Sequence, residues 1–268
     1  MSLSDPSPIA GFTVESLRVE VHNDRASAGR AAAAAVGRAI VERQQTQGRA
    51  RVIFAAAPSQ NEFLAGLVAS KGVDWSSVLA FHMDEYLAMA ADHPASLRRY
   101  LQEHLFRFVG LEASQQRLIA AEQSDRPLKT CLAYEEMLLA EPADIVCAGI
   151  GENGHLAFND PPVADFLDPV MVKVVRLDAV TRFQQLHDGC FSQIQDVPTH
   201  AFTLTIPALL RAPLVSVVVP GPRKANAVLT TLRGPIGEGC PATVLRRHPG
   251  ATLYLDRDSA RLVVRWGN

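Results

Sequence analysis

A histidine at the end of a glycine-rich run offers the plainest chemistry in the chain. The run is Gly149-Ile150-Gly151-Glu152-Asn153-Gly154-His155, continued by Leu156-Ala157-Phe158-Asn159-Asp160-Pro161. Its glycines permit a tight turn and a close approach of backbone to a ligand. Imidazole titrates nearest neutrality among the side chains, so His155 suits proton transfer. Asp160, further along, is a candidate to orient that ring. A structural turn holding a hydrogen-bonded histidine has the same composition, so the run alone does not decide. The second candidate is the acid pair Asp84-Glu85, which follows Phe81-His82-Met83 and precedes Tyr86. A carboxylate partly withdrawn from water serves as a general base. A helix cap or a solvated acidic pair is the plainer alternative. Two more polar runs follow apolar segments: Pro58-Ser59-Gln60-Asn61 and Gly221-Pro222-Arg223-Lys224.

The elements that must position these groups alternate. Residues 13–21 alternate apolar and polar and predict a first strand. An alanine-rich helix is predicted over 26–47, capped by Asn23 or Asp24 and stopped at Gly48. Apolar runs at 51–57, 78–82, 144–150 and 214–219 predict buried strands. Shorter strands are predicted at 172–177, 201–204, 251–256 and 262–266. Helices are predicted over 62–70, 94–109, 128–139 and 224–232. Strand–loop–helix repeats of this kind predict an α/β fold: one domain with an open, mostly parallel, Rossmann-like sheet flanked by helices. Residues 1–12 read as a tail and 13–268 as the domain. In such sheets ligands bind beyond the carboxyl ends of the strands. All four polar runs stand at predicted strand ends. That makes Ser59, Gln60, Glu85, Tyr86, Gly151, Gly154 and Lys224 candidates for substrate contact.

Composition narrows the function classes. The 268 residues carry 26 Lys+Arg and 28 Asp+Glu, a formal net charge of −2. That balance argues against a protein built to bind nucleic acid. No apolar run is long enough to span a membrane, and no secretory signal opens the chain. Cys131, Cys147, Cys190 and Cys240 form no CxxC pair, so a zinc knuckle is not expected and a reducing cytoplasmic compartment is. No metal-ligand cluster and no dinucleotide fingerprint is present, so neither metal nor cofactor is expected.

Taken together, the motifs resemble one family. Met83-Asp84-Glu85-Tyr86 followed by His93-Pro94-Ala95-Ser96 is similar to the MDEY…HPxS segment of glucosamine-6-phosphate deaminases. Gly149 to Pro161 resembles their GIGxxGHIAFNEP segment. Val197-Pro198-Thr199, Gly221-Pro222-Arg223-Lys224-Ala225 and the stretch ending His248-Pro249 resemble later family segments, in family order. The related 6-phosphogluconolactonases continue Gly-His with Thr-Ala-Ser-Leu-Phe, which this chain does not. The resemblance implies a cofactor-free enzyme that converts a hexosamine 6-phosphate to a ketose 6-phosphate and ammonia. It implies Asp84 as the base working between C2 and C1, and His155 as the acid/base for ring opening. Asn153 and Asp160 are implied to hold His155. The implied partner is a small sugar phosphate or amino sugar, and a homo-oligomer is compatible with the family. A sugar-lactone hydrolase and a non-enzymatic sugar sensor are the alternatives.

Two departures from the pattern concern the phosphate. The family's first loop reads TGSTP, whereas here Ser59 is the only hydroxyl, no glycine is present, and Glu62 adds negative charge. Gly189 stands where deaminases carry an arginine, and Arg182 is the expected substitute. Lys224 matches the family lysine. The substrate's anionic group is therefore expected to be held differently.

Overall fold

The computed structural model describes residues 7–122 and 125–265. Eleven strands are present among them: β1 (Ala10–Val14), β2 (Leu17–His22), β3 (Ala50–Phe54), β4 (Val78–His82), β5 (Asp84–Tyr86), β6 (Gln116–Arg117), β7 (Ile145–Ala148), β8 (Val172–Arg176), β9 (His200–Leu204), β10 (Leu214–Val219) and β11 (Ala251–Asp256). The main sheet runs β1-β2-β11-β10-β7-β3-β4-β6. Every pairing in it is parallel except β1 with β2. The helices are α1 (Arg25–Gln47), α2 (Asn61–Val68), α3 (Leu97–Leu101), α4 (Arg107–Val109), α5 (Pro127–Ala140), α6 (Ala179–His187), α7 (Ile206–Leu209) and α8 (Ala225–Arg233). The expected α/β architecture with a mostly parallel open sheet is present. No described helix is long and apolar enough to cross a membrane.

Burial explains why the central strands read as unbroken apolar runs. β4 and β7 are buried along their whole length, and two hydrophobic clusters pack against opposite faces of the sheet. The alanines of α1 serve close packing. A Cβ on Gly66 of α2 would stand 2.6 Å from Ala33 Cβ, and one on Gly29 would stand 2.7 Å from Glu62 Cβ. Small residues on both helices thus let α2 lie directly against α1. That contact sets the loop from β3 into α2. α1 begins with a capping box between Asp24 and Ser27, a device worth about 1 kcal/mol.

Three predicted elements differ, and so does the start of the domain. The strand expected over 13–21 is a hairpin: Glu15 adopts φ +53 and turns β1 back onto β2. β1 begins at Ala10, inside the stretch read as a tail. The helix expected over 94–109 starts at Leu97, and its middle, Gln102–Phe106, is a π-helical turn. Residues 262–264 are turn and bend rather than strand, and Trp266 lies outside the described residues.

The strand expected over 201–204 belongs to a second, antiparallel sheet of order β5-β9-β8. Asp84 pairs with Thr203 across β5 and β9. Thr203 Oγ1 accepts from Phe158 N at 3.1 Å, and Asn159 Nδ2 donates to Leu204 O at 2.8 Å. β9 therefore joins the Asp84 segment to the loop bearing His155.

Candidate active site

β10, β7, β3 and β4 are consecutive in the sheet, and the four polar runs leave their carboxyl ends. They surround a cleft with about 540 Å3 of empty space, part of it open to solvent. Ser59, Gln60, Asp84, Tyr86, Gly151, His155 and Lys224 line it, as do Gln184 and Gln185 of α6. Gln60 Nε2 donates to Val218 O at 3.2 Å and to Ser59 Oγ at 3.2 Å. The β3 loop is thereby pinned to the end of β10.

The histidine end is dense in hydrogen bonds. A Cβ on Gly151 would fall 2.1–2.2 Å from three ring atoms of His155, so only glycine lets the imidazole lie over that backbone. Gly154 has φ +85, and a Cβ there would meet Cys240 Sγ at 2.4 Å. It shapes the turn and does not line the cleft. His155 Nδ1 has three oxygens around it: Asn153 Oδ1 at 2.8 Å, Thr181 Oγ1 at 2.9 Å and Asp160 Oδ1 at 3.1 Å. Asn153 Nδ2 donates to Asp160 Oδ1 at 3.0 Å and to Asp178 Oδ2 at 3.2 Å. Those oxygens only accept when ionised, so the amide is oriented with its own oxygen toward His155. Burial would raise the Asp160 carboxyl, but hydrogen bonds from His155, Asn153 and Thr181 outweigh it and hold the group below its ordinary value. Asp160 thus reaches the histidine despite its short side chain.

Asp84 and Glu85 are neighbours with opposite surroundings. Asp84 lines the cleft, and its carboxylate accepts no hydrogen bond among the described residues. Burial, then the charge of Glu85, pushes its pKa well above the ordinary value. Glu85 faces away from the cleft. It is fully buried, and its carboxylate accepts from Tyr86 N, Ser96 Oγ, Leu97 N, Arg98 N and Arg98 Nε at 2.8–3.2 Å. Expected as a substrate contact, Glu85 is instead committed to the first turn of α3 and to Arg98. This local tie is also what holds β5 and Asp84 in place.

The surroundings of Lys224 are sparse in hydrogen bonds. Lys224 lines the cleft, is 6% exposed, and has no hydrogen-bond partner among the described residues. Burial lowers its pKa, while Asp188 and Glu152 pull it back upward. Arg182, expected as a substitute phosphate ligand, does not line the cleft. Its Nη2 donates to Ile194 O at 2.7 Å and Val197 O at 2.9 Å, clamping the loop behind α6. The charge added by Glu62 is met by Arg25, with Nε 2.7 Å from Oε1. An ion pair this exposed contributes about 0–1 kcal/mol.

Thr181, Gln184 and Gln185 were not among the expected site residues. Gln185 Oε1 accepts from Tyr86 OH at 2.8 Å. Gln184 accepts from Glu152 N at 2.9 Å and donates to Asp188 Oδ2 at 3.2 Å. The amphipathic stretch 179–187 following Asp178 is the signal that marks a capped helix there.

Comparison with known proteins agrees with this geometry. Residues 23–164 match the family model of glucosamine-6-phosphate isomerases and 6-phosphogluconolactonases. The chain is 34% identical to glucosamine-6-phosphate deaminase of Listeria monocytogenes serotype 4a (strain HCC23), over 84% of this chain and 92% of that protein. It is 36% identical to the deaminase of Bacillus cereus (strain B4264), over 71% and 70%. A solved monomeric glucosamine-6-phosphate deaminase superposes with a TM-score of 0.83 at 26% identity, covering 91% of this chain and 99% of that one. A 6-phosphogluconolactonase from Trypanosoma brucei shares the fold at 17% identity and a TM-score of 0.77, covering 95% and 100%. With identity and coverage of this extent behind a cleft already assembled from four strand ends, the chain belongs to the family of glucosamine-6-phosphate isomerases and 6-phosphogluconolactonases.

Proposed function

We propose that the protein is a deaminating aldose–ketose isomerase, converting a hexosamine 6-phosphate and water to a ketose 6-phosphate and ammonia. The observation that carries this reading is the pairing of an unbonded, buried Asp84 with an oriented His155 across one cleft. Such an isomerisation needs a base that spans C1 and C2, and a carboxylate with free lone pairs serves. Asp84 takes the C2 proton of the open-chain amino sugar and delivers it to C1. The resulting C2 imine adds water and releases ammonia. His155 handles ring opening by moving a proton between the anomeric hydroxyl and the ring oxygen. Nδ1 faces the oxygens of Asn153, Thr181 and Asp160, so Nε2 is the atom left for substrate. Lys224 and Ser59, which line the same cleft, receive the phosphate. No step in this scheme calls for a metal ion or an organic cofactor. We place the enzyme in the cytoplasm, with a domain that includes β1 and so starts at Ala10 rather than residue 13.

The test is ammonia release from glucosamine, galactosamine and mannosamine, each with and without a 6-phosphate. Ammonia together with a ketose phosphate from a phosphorylated hexosamine is the expected result. Hydrolysis of 6-phosphogluconolactone with no ammonia from any hexosamine would replace this reading with the lactonase one.

A further inference from the structure

We propose that Thr181 is a positioning residue of the acid–base centre. Its hydroxyl links Asp160 to His155 Nδ1 and so fixes the imidazole tautomer that presents Nε2 to the cleft. The inference rests on the proposed function for its kinetic consequence, but its structural content stands on the hydrogen bonds around His155 and Asp160.

A threonine in the first turn of a helix usually bonds its own backbone, as a cap or to the carbonyl three or four residues back. Thr181 does neither. It is fully buried, and its hydroxyl donates to Asp160 Oδ1 while its oxygen lies 2.9 Å from His155 Nδ1. A hydroxyl has one proton to give and lone pairs to receive with. With the proton on Asp160, the lone pairs of Thr181 face Nδ1 and require a hydrogen there. Asn153 Oδ1, whose amide is oriented by two carboxylates, makes the same demand at 2.8 Å. Both nearest neighbours of Nδ1 are therefore acceptors, and neither has a proton to offer it. The neutral ring then has its hydrogen on Nδ1 and its lone pair on Nε2.

The start of α6 is arranged around the same carboxylate. Asp178 N donates to Asp160 Oδ2 at 2.9 Å, and Asp178 Oδ1 accepts from Ala179 N at 2.7 Å as the helix cap. Asp160 is thus gripped at one oxygen by the Asp178 backbone and at the other by Thr181. The carboxylate is 3.1 Å from Nδ1, farther than the hydroxyl. The hydroxyl shortens the path between the charge and the ring. This role falls outside residues 23–164, the part matched by the family model.

The experiment compares Thr181→Val, a near-isostere without the hydroxyl, and Thr181→Ser, which restores it, in the full chain. The 15N shifts of the His155 ring, assigned against His155→Gln, report the tautomer without any substrate. Wild type and Thr181→Ser should show hydrogen on Nδ1, and Thr181→Val a mixture. For glucosamine 6-phosphate, Thr181→Val should lower kcat by about tenfold, a part of the 10²–10⁴ that a positioned acid–base group contributes. KM should stay within about twofold, and Thr181→Ser should recover most of the loss. An unchanged tautomer in Thr181→Val overturns the proposal. So does a Thr181→Ser variant as poor as Thr181→Val, which would make the methyl packing the important part. If Thr181→Val does not fold by circular dichroism, Thr181→Ala against Thr181→Ser decides the same question. A wild-type protein that releases no ammonia sinks the functional reading instead, and the 15N comparison still judges Thr181.

Discussion

In the cleft, His155 Nδ1 has three oxygens within 3.1 Å, and each of their residues is held by further bonds. Lys224 lines the same cleft, is equally buried and has no hydrogen-bond partner among the described residues. The histidine's Nδ1 is fully bonded within the protein, whereas the lysine keeps its donors unused, as the proposed phosphate contact requires. Preorganised proton-transfer groups avoid reorganisation during the reaction. A buried cation without a partner is costly to keep and is best relieved by an incoming anion. The adjacent acids repeat the contrast on a smaller scale: Asp84 keeps its lone pairs free for chemistry, while Glu85 uses its own to hold Asp84's strand.

This contrast can be broken by substitution. The largest effect belongs to the histidine end. His155→Gln should lower kcat by about 10²–10⁴, measured by ammonia release. Glu85→Ala comes next and acts on folding. Removing one partner of a buried pair costs about 3 kcal/mol at the lower end of the usual range, and Arg98 keeps Glu122 as a partner at 2.7 Å. Urea denaturation should show that loss. A small loss would mean that the carboxylate does not brace α3. Lys224→Ala should raise KM for phosphorylated substrate by about ten- to a hundredfold, the equivalent of a charge-assisted hydrogen bond of about 1.5–3 kcal/mol. Equal weakening of phosphorylated and unphosphorylated sugars would mean that Lys224 does not hold the phosphate.

The smallest effect is on stability at Asp84, and it has a definite sign. The folded protein holds the Asp84 proton more tightly than the unfolded chain does. Between the ordinary carboxylate value and the raised one, unfolding therefore releases protons, and stability falls as pH rises. Asp84→Asn should raise Tm at neutral pH, and the gain should vanish below the ordinary carboxylate range. A Tm difference independent of pH would contradict the raised value.

Much of this was legible in the sequence because local pattern was enough. Apolar strands buried on both faces read as unbroken runs, and the polar residues where they stop mark the cleft. Asp84, Asn153, His155, Asp160, Ser59, Gln60, Tyr86, Gly151 and Lys224 all come together there. What escaped was set by partners distant in sequence. Thr181 meets His155 only because α6 folds back over the turn. Arg182, beside it on the helix, reads as a free cation until the carbonyls of Ile194 and Val197 are seen to take it. The hairpin at Glu15 and the π-helical turn at Gln102–Phe106 interrupt patterns that looked continuous. Glu85 reads in the sequence as a substrate contact beside the base Asp84, because a strand's alternation alone does not say which of two neighbours faces the ligand.

The central claim is that Asp84 moves the proton between C2 and C1. It is tested most directly by incubating wild type and Asp84→Asn with glucosamine 6-phosphate in deuterated water. Wild type should form ketose phosphate with deuterium exchanged at the carbon protonated by the enzyme. Asp84→Asn should bind the sugar phosphate yet show neither exchange nor ammonia. Exchange or turnover at the wild-type rate in Asp84→Asn would contradict the account.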